Sequence, residues 1–201
     1  MARKKNKSTK QFIITLIILV AFFSVLIFFG RYNTQKKLTK DNYNNFPFYF
    51  DKNEGFWYTQ IQIGKIPYNI PFYHHPRELE DIIVEDNIED IIWKNRPENI
   101  IISVPNNSSS EIALAGIEIS KLTGERFHLL RIPTTSAVNE EFENLPFATC
   151  DDADENTVVI SFERSDKNLV SSSGRCIILE FKEEHPINVA DAFAYHLLKI
   201  M

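Results

Sequence analysis

The first 40 residues contain no aspartate or glutamate, although they hold nine of the chain's 22 lysines and arginines. All 27 acidic residues therefore lie between residues 41 and 201, beside 13 bases, and this part of the chain has a formal charge of −14. A domain with this charge repels the phosphate backbone of nucleic acids. The composition therefore argues against nucleic acid as a partner.

Glycine and histidine are too few, and wrongly spaced, for several common kinds of site. None of the six glycines belongs to a G-x-S-x-G elbow or to a phosphate-binding P-loop. The five histidines include no H-x-x-x-H or H-E-x-x-H pair, which is the usual spacing of zinc ligands on a helix. We therefore predict no catalytic residue, no cofactor-binding residue and no metal ligand.

Charged residues are also absent from the apolar run between Phe12 and Phe29, which only Thr15 and Ser24 interrupt. A helix over residues 11–30 would be about 30 Å long, which is the thickness of the hydrocarbon core of a bilayer. The run is longer than the apolar part of a cleaved signal peptide, and it does not end in small residues. The sequence therefore predicts an uncleaved, single-pass transmembrane helix in the lipid bilayer.

The charges that flank this run predict its orientation and the division of the chain. Five bases precede it within ten residues, whereas the four that follow are spread out to Lys40. By the positive-inside rule, residues 1–10 are a basic cytoplasmic stub of a cell-membrane protein whose C-terminal part lies outside the cytoplasm. Residues 31–55 are predicted to be a tether, because the first part is polar and rich in asparagine, and the aromatic run at 46–50 is predicted to dock on the domain. Residues 56–201 are long enough for one domain.

Cysteine occurs only twice, at Cys150 and Cys176. A disulfide between them suits an oxidising exterior, and two unpaired thiols fit the sequence equally well. Overlapping N-glycosylation sequons begin at Asn106 and Asn107, and they matter only for an exported domain in a host that glycosylates proteins.

The domain is predicted to begin with a β-hairpin formed by residues 56–63 and 68–73. Pro67 and Pro71 cannot donate ladder hydrogen bonds, so they place the second strand at a sheet edge. Two short helices are then predicted, at residues 77–82 and 88–94.

The clearest pattern is a βαβ unit. Residues 100–104 are a short apolar run typical of a buried strand, and Ser108 with Glu111 matches a capping box that opens a helix through Leu122. Residues 126–132 are the predicted second strand, parallel to the first with a right-handed crossover.

The remaining elements complete an α/β fold with one mixed sheet, a parallel βαβ core and a C-terminal helix packed on one face. They are an acidic loop at 133–156, strands at 158–162 and 176–181 with a polar stretch at 164–175 between them, and a helix that Asn188 caps and that runs to the last residue.

Asp152, Asp154, Asn156 and Glu163 match the spacing of a calcium-binding loop, except at its central glycine. No helix is predicted on either side, and the residues before Glu163 are a predicted strand. We interpret these residues as an acidic surface loop.

Ser108, Ser109 and Ser110 stand at the start of the predicted helix, where free N–H groups and the helix dipole favour an anion. Helix capping explains the three serines without a further function. An anion-binding or hydrolytic site would need Arg175 or a histidine in the same cleft.

Three segments look similar to uncharacterised archaeal proteins that have one N-terminal membrane helix. They are PFYHHPREL at residues 71–79, EIALAGIEI at 111–119, and CIILE at 176–180 followed by Ala190-Asp191-Ala192. The resemblance covers residues 56–201 and implies a single-pass, membrane-anchored α/β domain in an archaeal-type envelope. It implies no activity and no catalytic residue.

The first functional hypothesis is an interaction or structural module, displayed outside the cytoplasm as part of an envelope or membrane complex. The anchor, the acidic domain and the lack of a catalytic pattern support it. The alternative is a membrane-tethered hydrolase or small-anion-binding domain that uses Ser108–Ser110.

Overall fold

A computed structural model of the chain describes residues 6–35, 38–106, 109–142, 144–182 and 185–201. Its first element, helix α1 (Asn6–Gln35), contains the span Gln11–Phe29, which is long and apolar enough to cross a membrane. No residue of that span is buried by the rest of the described chain. The predicted apolar helix is confirmed, and it continues beyond residue 30.

An antiparallel four-stranded sheet follows, in the order β1-β2-β3-β4. The strands are β1 (Leu38–Tyr43), β2 (Phe46–Asp51), β3 (Phe56–Ile63) and β4 (Ile66–Phe72). The β3–β4 hairpin and the position of its proline-containing strand at the sheet edge are confirmed.

The prediction of a tether over residues 31–55 is wrong for β1 and β2. Asn44 and Asn45 form the two-residue turn between these strands, with φ angles of 45° and 67°. Positive φ at both positions is typical of a type I′ hairpin turn, and asparagine tolerates that conformation. The asparagines that suggested a flexible segment are therefore turn residues of an ordered sheet.

The second sheet has six strands in the order β5-β9-β10-β8-β6-β7 and is mixed, as predicted. All neighbouring pairs are parallel except β9 with β10. The strands are β5 (Ile83–Val84), β6 (Asn99–Val104), β7 (Thr134–Val138), β8 (Thr157–Arg164), β9 (Leu169–Ser173) and β10 (Cys176–Phe181).

The parallel βαβ unit is confirmed, but its second strand is β7 and not residues 126–132. Those residues form turns and bends, with positive φ at His128 and Arg131. Their apolar side chains pack against the core as the chain returns from helix to sheet, which explains the misleading pattern. The polar stretch 164–175 likewise contains a strand, β9.

The described part of the domain contains three α-helices: α2 (Asp90–Trp93), α3 (Ser110–Thr123) and α4 (Pro186–Leu197). Ser109 is the N-cap of α3, so the prediction that Ser108 caps this helix is wrong, and Ser108 itself lies outside the described residues. Asn188 does not cap α4, because the helix begins at Pro186, a favoured first helical residue. The helix also ends before the chain does, since Lys199 has a φ of 57°.

Helices α3 and α4 lie between the two sheets. On one side α3 packs on β6 and α4 packs on β10. On the other side Phe48 of β2 and Phe72 of β4 contact the ring of Tyr195 in α4, with centroid distances of 5.9 and 4.3 Å. Every residue of α4 from Val189 to Tyr195 is 0% exposed, as expected for a helix covered on all sides.

A disulfide between Cys150 and Cys176 fastens the 139–156 segment to β10, with Cα atoms 5.2 Å apart. The two alternatives for the cysteines are thereby resolved in favour of a bond. Closing this loop contributes about 3–4 kcal/mol in the chain-entropy description of disulfides. Ser103 of β6 adds a buried hydrogen bond of 2.6 Å to the carbonyl of Ala148.

Candidate functional site

Helix α3 buries charged residues and exposes apolar ones outside its core face. Its charged residues Glu118 and Lys121 are buried, at 7% and 4% exposure, whereas Leu114 and Ile117 are 37% and 49% exposed. After the first turn its exposed positions carry no charge. The spacing of Ile112, Ala115, Ile119 and Leu122 predicts a buried apolar face, and the structure confirms it. The same pattern predicts that Ala113, Leu114 and Ile117 widen this face, and that is wrong, because all three are exposed.

Glu118 and Lys121 form an ion pair one turn apart on the side of α3 that faces the four-stranded sheet. The Lys121 ammonium also donates to the carbonyl of Pro71 and lies 4.7 Å from the ring centroid of Phe72. Burial raises the pKa of Glu118 to about 7 and lowers the pKa of Lys121. These contacts tie the end of β4 to α3, so the two charges have a structural use inside the domain.

Asp191 of α4 is the third member of this buried charged cluster. Its Oδ2 accepts from the backbone N–H groups of Tyr73 and His74, at 3.1 and 3.0 Å, and lies 3.1 Å from Nδ1 of His74. Tyr195 donates a hydrogen bond of 2.7 Å to the carbonyl of His74. The chain just after β4 is therefore held by two side chains of α4.

Asp191 stands three residues after Asn188, and this position predicts only the ordinary role of an acidic residue in the first turn of a helix. The available signal was its place inside the apolar run Val189-Ala190-Asp191-Ala192-Phe193. A carboxylate within such a run is buried, and a buried carboxylate requires hydrogen-bond donors.

The His74–Asp191 pair resembles the base and orienting acid of a catalytic triad in type but not in setting. In the part of the chain that the structure describes, no hydroxyl or thiol bonds the imidazole of His74. Two of the donors to Asp191 are backbone groups, so its carboxylate serves to position the chain. We therefore assign the cluster a structural role.

An open groove of about 440 Å³ separates the outer side of α3 from the edge strand β7. Its residues are small or apolar, and none of them is charged. They are Ile102, Val104, Ala113, Gly116, Ile117, Ser120, Thr134, Thr135 and Ser136.

Strand β7 also has a partly free backbone edge. Pro133 and Asn139 bond to β6, so Thr134 and Ser136 direct their backbone N–H and C=O groups away from the sheet. The outward groups of Val138 are bonded by Pro146 and Ala148. Among the described residues, the free edge therefore covers Thr134 to Ser136.

The other outer strands of the two sheets carry features that discourage pairing with another chain. β1 has Lys40 and Asp41, β4 has Pro67 and Pro71, and β5 is only two residues long. Charges, prolines and short length are the common protections of sheet edges. β7 reads TTSAV and has no charge and no proline.

The residues of the calcium-loop pattern do not converge on one point. Oδ1 of Asp154 accepts from the N–H groups of Asn156 and Thr157, at 2.8 Å each, and these bonds lower the pKa of Asp154. Asp152 accepts from the N–H of Thr149 at 2.8 Å. Glu163 instead lines a separate hollow of about 240 Å³. Within the described ranges no group of three or more acidic, histidine or cysteine residues is placed to hold a metal ion.

Ser109 and Ser110 lie far from Arg175 along the six-stranded sheet. Cys176 is level with Val159 of β8, which is level with Ile101 of β6, so Arg175 is level with the start of β6. The serines come after the end of β6, which lies about 13 Å further along the strand direction. No hydrogen bond joins them to Arg175 or to a histidine among the described residues.

No protein-family model matches the chain, and no curated protein matches it. The resemblance to archaeal membrane proteins stays a prediction.

Proposed function

We propose that this chain is a membrane-anchored interaction module, displayed outside the cytoplasm as part of an envelope or membrane complex. Its binding site is the α3–β7 surface, which consists of Ala113, Leu114 and Ile117 with the free edge from Thr134 to Ser136. The observation that carries the proposal is the exposure of Leu114 and Ile117 on α3, a helix that buries its charged residues Glu118 and Lys121. Exposed apolar residues beside an uncharged groove are typical of a surface that a partner covers.

The position of the anchor supports action close to the membrane. Only eight residues separate Phe29, the end of the apolar span, from Leu38 at the start of β1, and six of them continue helix α1. The geometry of a peptide chain then limits β1 to within about 20 Å of the end of the span. A partner of the domain is therefore expected at the membrane surface.

The orientation rests on the basic stub, and the disulfide suits an oxidising exterior. An amine reagent that cannot cross membranes, added to intact cells, is expected to modify Lys94 and Lys167, whose side chains are 74% and 56% exposed. The stub lysines Lys4 and Lys5 are expected to stay unmodified until the membrane is opened with detergent. Mass spectrometry of the peptides measures the modification of lysines on both sides of the membrane in one experiment. The opposite pattern would place the domain in the cytoplasm.

Replacing Ile117 by glutamate is expected to abolish the complex, because a charge at the centre of the α3–β7 surface must be desolvated when a partner covers it. The measurement is the size of the assembly after extraction of membranes in mild detergent. Wild-type protein is expected to elute in an assembly larger than one chain in its micelle, and I117E as the single chain.

Ile66→Glu is the matched control, since Ile66 is also an exposed isoleucine, at 57%, but lies in the four-stranded sheet. The I66E protein is expected to keep the assembly. Wild-type protein that elutes alone and monomeric would contradict the proposed function.

The hydrolase or anion-binding alternative at Ser108–Ser110 gains no support from the described geometry. Arg175 belongs to the opposite end of the strands, and the described serines have no partner that would activate a hydroxyl. The exposed apolar residues Leu114 and Ile117 of α3 favour the interaction module.

A further inference from the structure

We propose that the partner at the α3–β7 surface is a second copy of this chain, related to the first by a two-fold axis. The two β7 strands pair in antiparallel fashion, and the two α3 helices pack against each other on the same side of the extended sheet. This inference rests on the proposed function, because it names the partner of the same surface. Four observations carry it.

The backbone edge is suited to pairing with itself. The groups free to bond are the N–H and C=O of Thr134 and Ser136, two residues apart. A two-fold axis through Thr135 brings Thr134 of each copy opposite Ser136 of the other. In an antiparallel sheet such opposed residues exchange both hydrogen bonds, so the four free groups on each chain are satisfied.

The helix face is suited to the same two-fold axis. Ile117 lines the groove beside β7, and Ala113 and Leu114 are exposed next to it on the outer side of α3. Pairing of the β7 strands brings the two outer faces together and removes their apolar side chains from water. A partner that offered only an extended strand would leave much of this helix face uncovered.

The distribution of charge selects this surface for contact between copies. Each domain has a formal charge of −14, so two copies repel each other over most of their surfaces. The groove and the β7 strand contain no charged residue, which makes them the region where repulsion is smallest. A basic partner would instead be drawn to the acidic surfaces of the domain.

The charges that flank β7 have opposite signs at its two ends. Arg131 precedes the strand, and Glu140 and Glu141 follow it, all three exposed. Antiparallel pairing places the basic end of one copy beside the acidic end of the other. A parallel arrangement would place like charges together, so the charges favour the two-fold arrangement.

The membrane anchor adds to these contacts without opposing them. Two copies in one membrane share the same orientation, and a two-fold axis along the membrane normal keeps both anchors in the bilayer. Confinement near one surface raises the effective concentration of each domain for the other. A modest contact area therefore suffices for pairing.

Site-specific crosslinking in native membranes tests the proposal on the full-length chain. A photoreactive amino acid is placed at Ile117 or at Ser136, both exposed, and the product is identified by its mass. Both positions are expected to give a product of twice the chain mass, and Ile66 in the other sheet is expected to give none. A product with a different protein would overturn the second copy as partner while the proposed function stands. No product at either position would overturn both.

A charge exchange tests the antiparallel arrangement. Arg131→Glu is expected to lower the yield of the double-mass product by roughly two- to fivefold, the range of an exposed charge pair. Adding Glu140→Arg and Glu141→Arg to the same chain is expected to restore the yield, because the acidic and basic ends have then changed places. A yield that falls further in the combined variant would overturn the antiparallel pairing.

Discussion

Replacing Asp191 by alanine is expected to destabilise the folded domain by about 3–5 kcal/mol, the largest effect of any single substitution proposed for this chain. The carboxylate accepts two backbone N–H groups just after β4 and contacts the His74 ring. Alanine would leave these donors buried without an acceptor. It would also leave a cavity between α4 and the chain just after β4. The substitution is expected to weaken the packing of both sheets, because Asp191 lies on the helix between them.

Urea denaturation of the full chain in mild detergent measures this loss. The only two tryptophans, Trp57 and Trp93, both lie in the domain, so their fluorescence reports its unfolding and not that of α1. Asp81→Ala is the control, since Asp81 is exposed. An Asp191→Ala protein that unfolds at the same urea concentration as the control would contradict the assigned role of Asp191.

The stability of the domain is expected to fall between pH 5 and pH 8 through the titration of Glu118. Burial raises its pKa to about 7, above the value of 4.5 for a free glutamate, so the folded state binds this proton more tightly than the unfolded state. The resulting stabilisation is fully present below pH 4.5 and is lost as the pH rises through 7. A difference of this size corresponds to about 3 kcal/mol.

Glu118→Gln removes this titration with little change in volume, so its unfolding free energy is expected to vary less with pH than that of the wild type. Burial lowers the pKa of His75 and of His196, and these residues contribute stability with the opposite pH dependence. The difference between variant and wild type at each pH isolates Glu118. A difference that is constant from pH 5 to pH 8 would show that Glu118 does not titrate in this range.

Local sequence patterns were sufficient to predict the elements whose signal lies in their own residues. The apolar run predicted α1, alternation and prolines predicted the β3–β4 hairpin with β4 at an edge, and short runs of β-branched residues predicted the strands β6, β8 and β10. In each of these elements the signal lies within a few neighbouring residues, because hydrophobic periodicity and the backbone restrictions of proline are local properties.

Other elements depended on partners far away in the chain. β1 is a polar segment that pairs with β2, and β2 is an aromatic segment that pairs with β3. β7 is a short stretch of threonine, serine, alanine and valine that pairs with β6. The edge strands β1 and β7 have weak propensity of their own, so pairing with a neighbouring strand determines their structure. The sequence-based boundaries of the tether and of the βαβ unit were wrong for this reason.

The sequence by itself determined that a cationic stub and an acidic α/β domain stand on either side of an apolar helix. Only the tertiary structure decided that Glu118 and Lys121 of α3 are buried, that Leu114 and Ile117 are exposed, and what Asp191 does. A helix between two sheets has two covered sides, so charges can be buried where the second sheet supplies partners. Residues within α3 do not reveal that second sheet, because it is built from strands about 40 to 70 residues earlier in the chain.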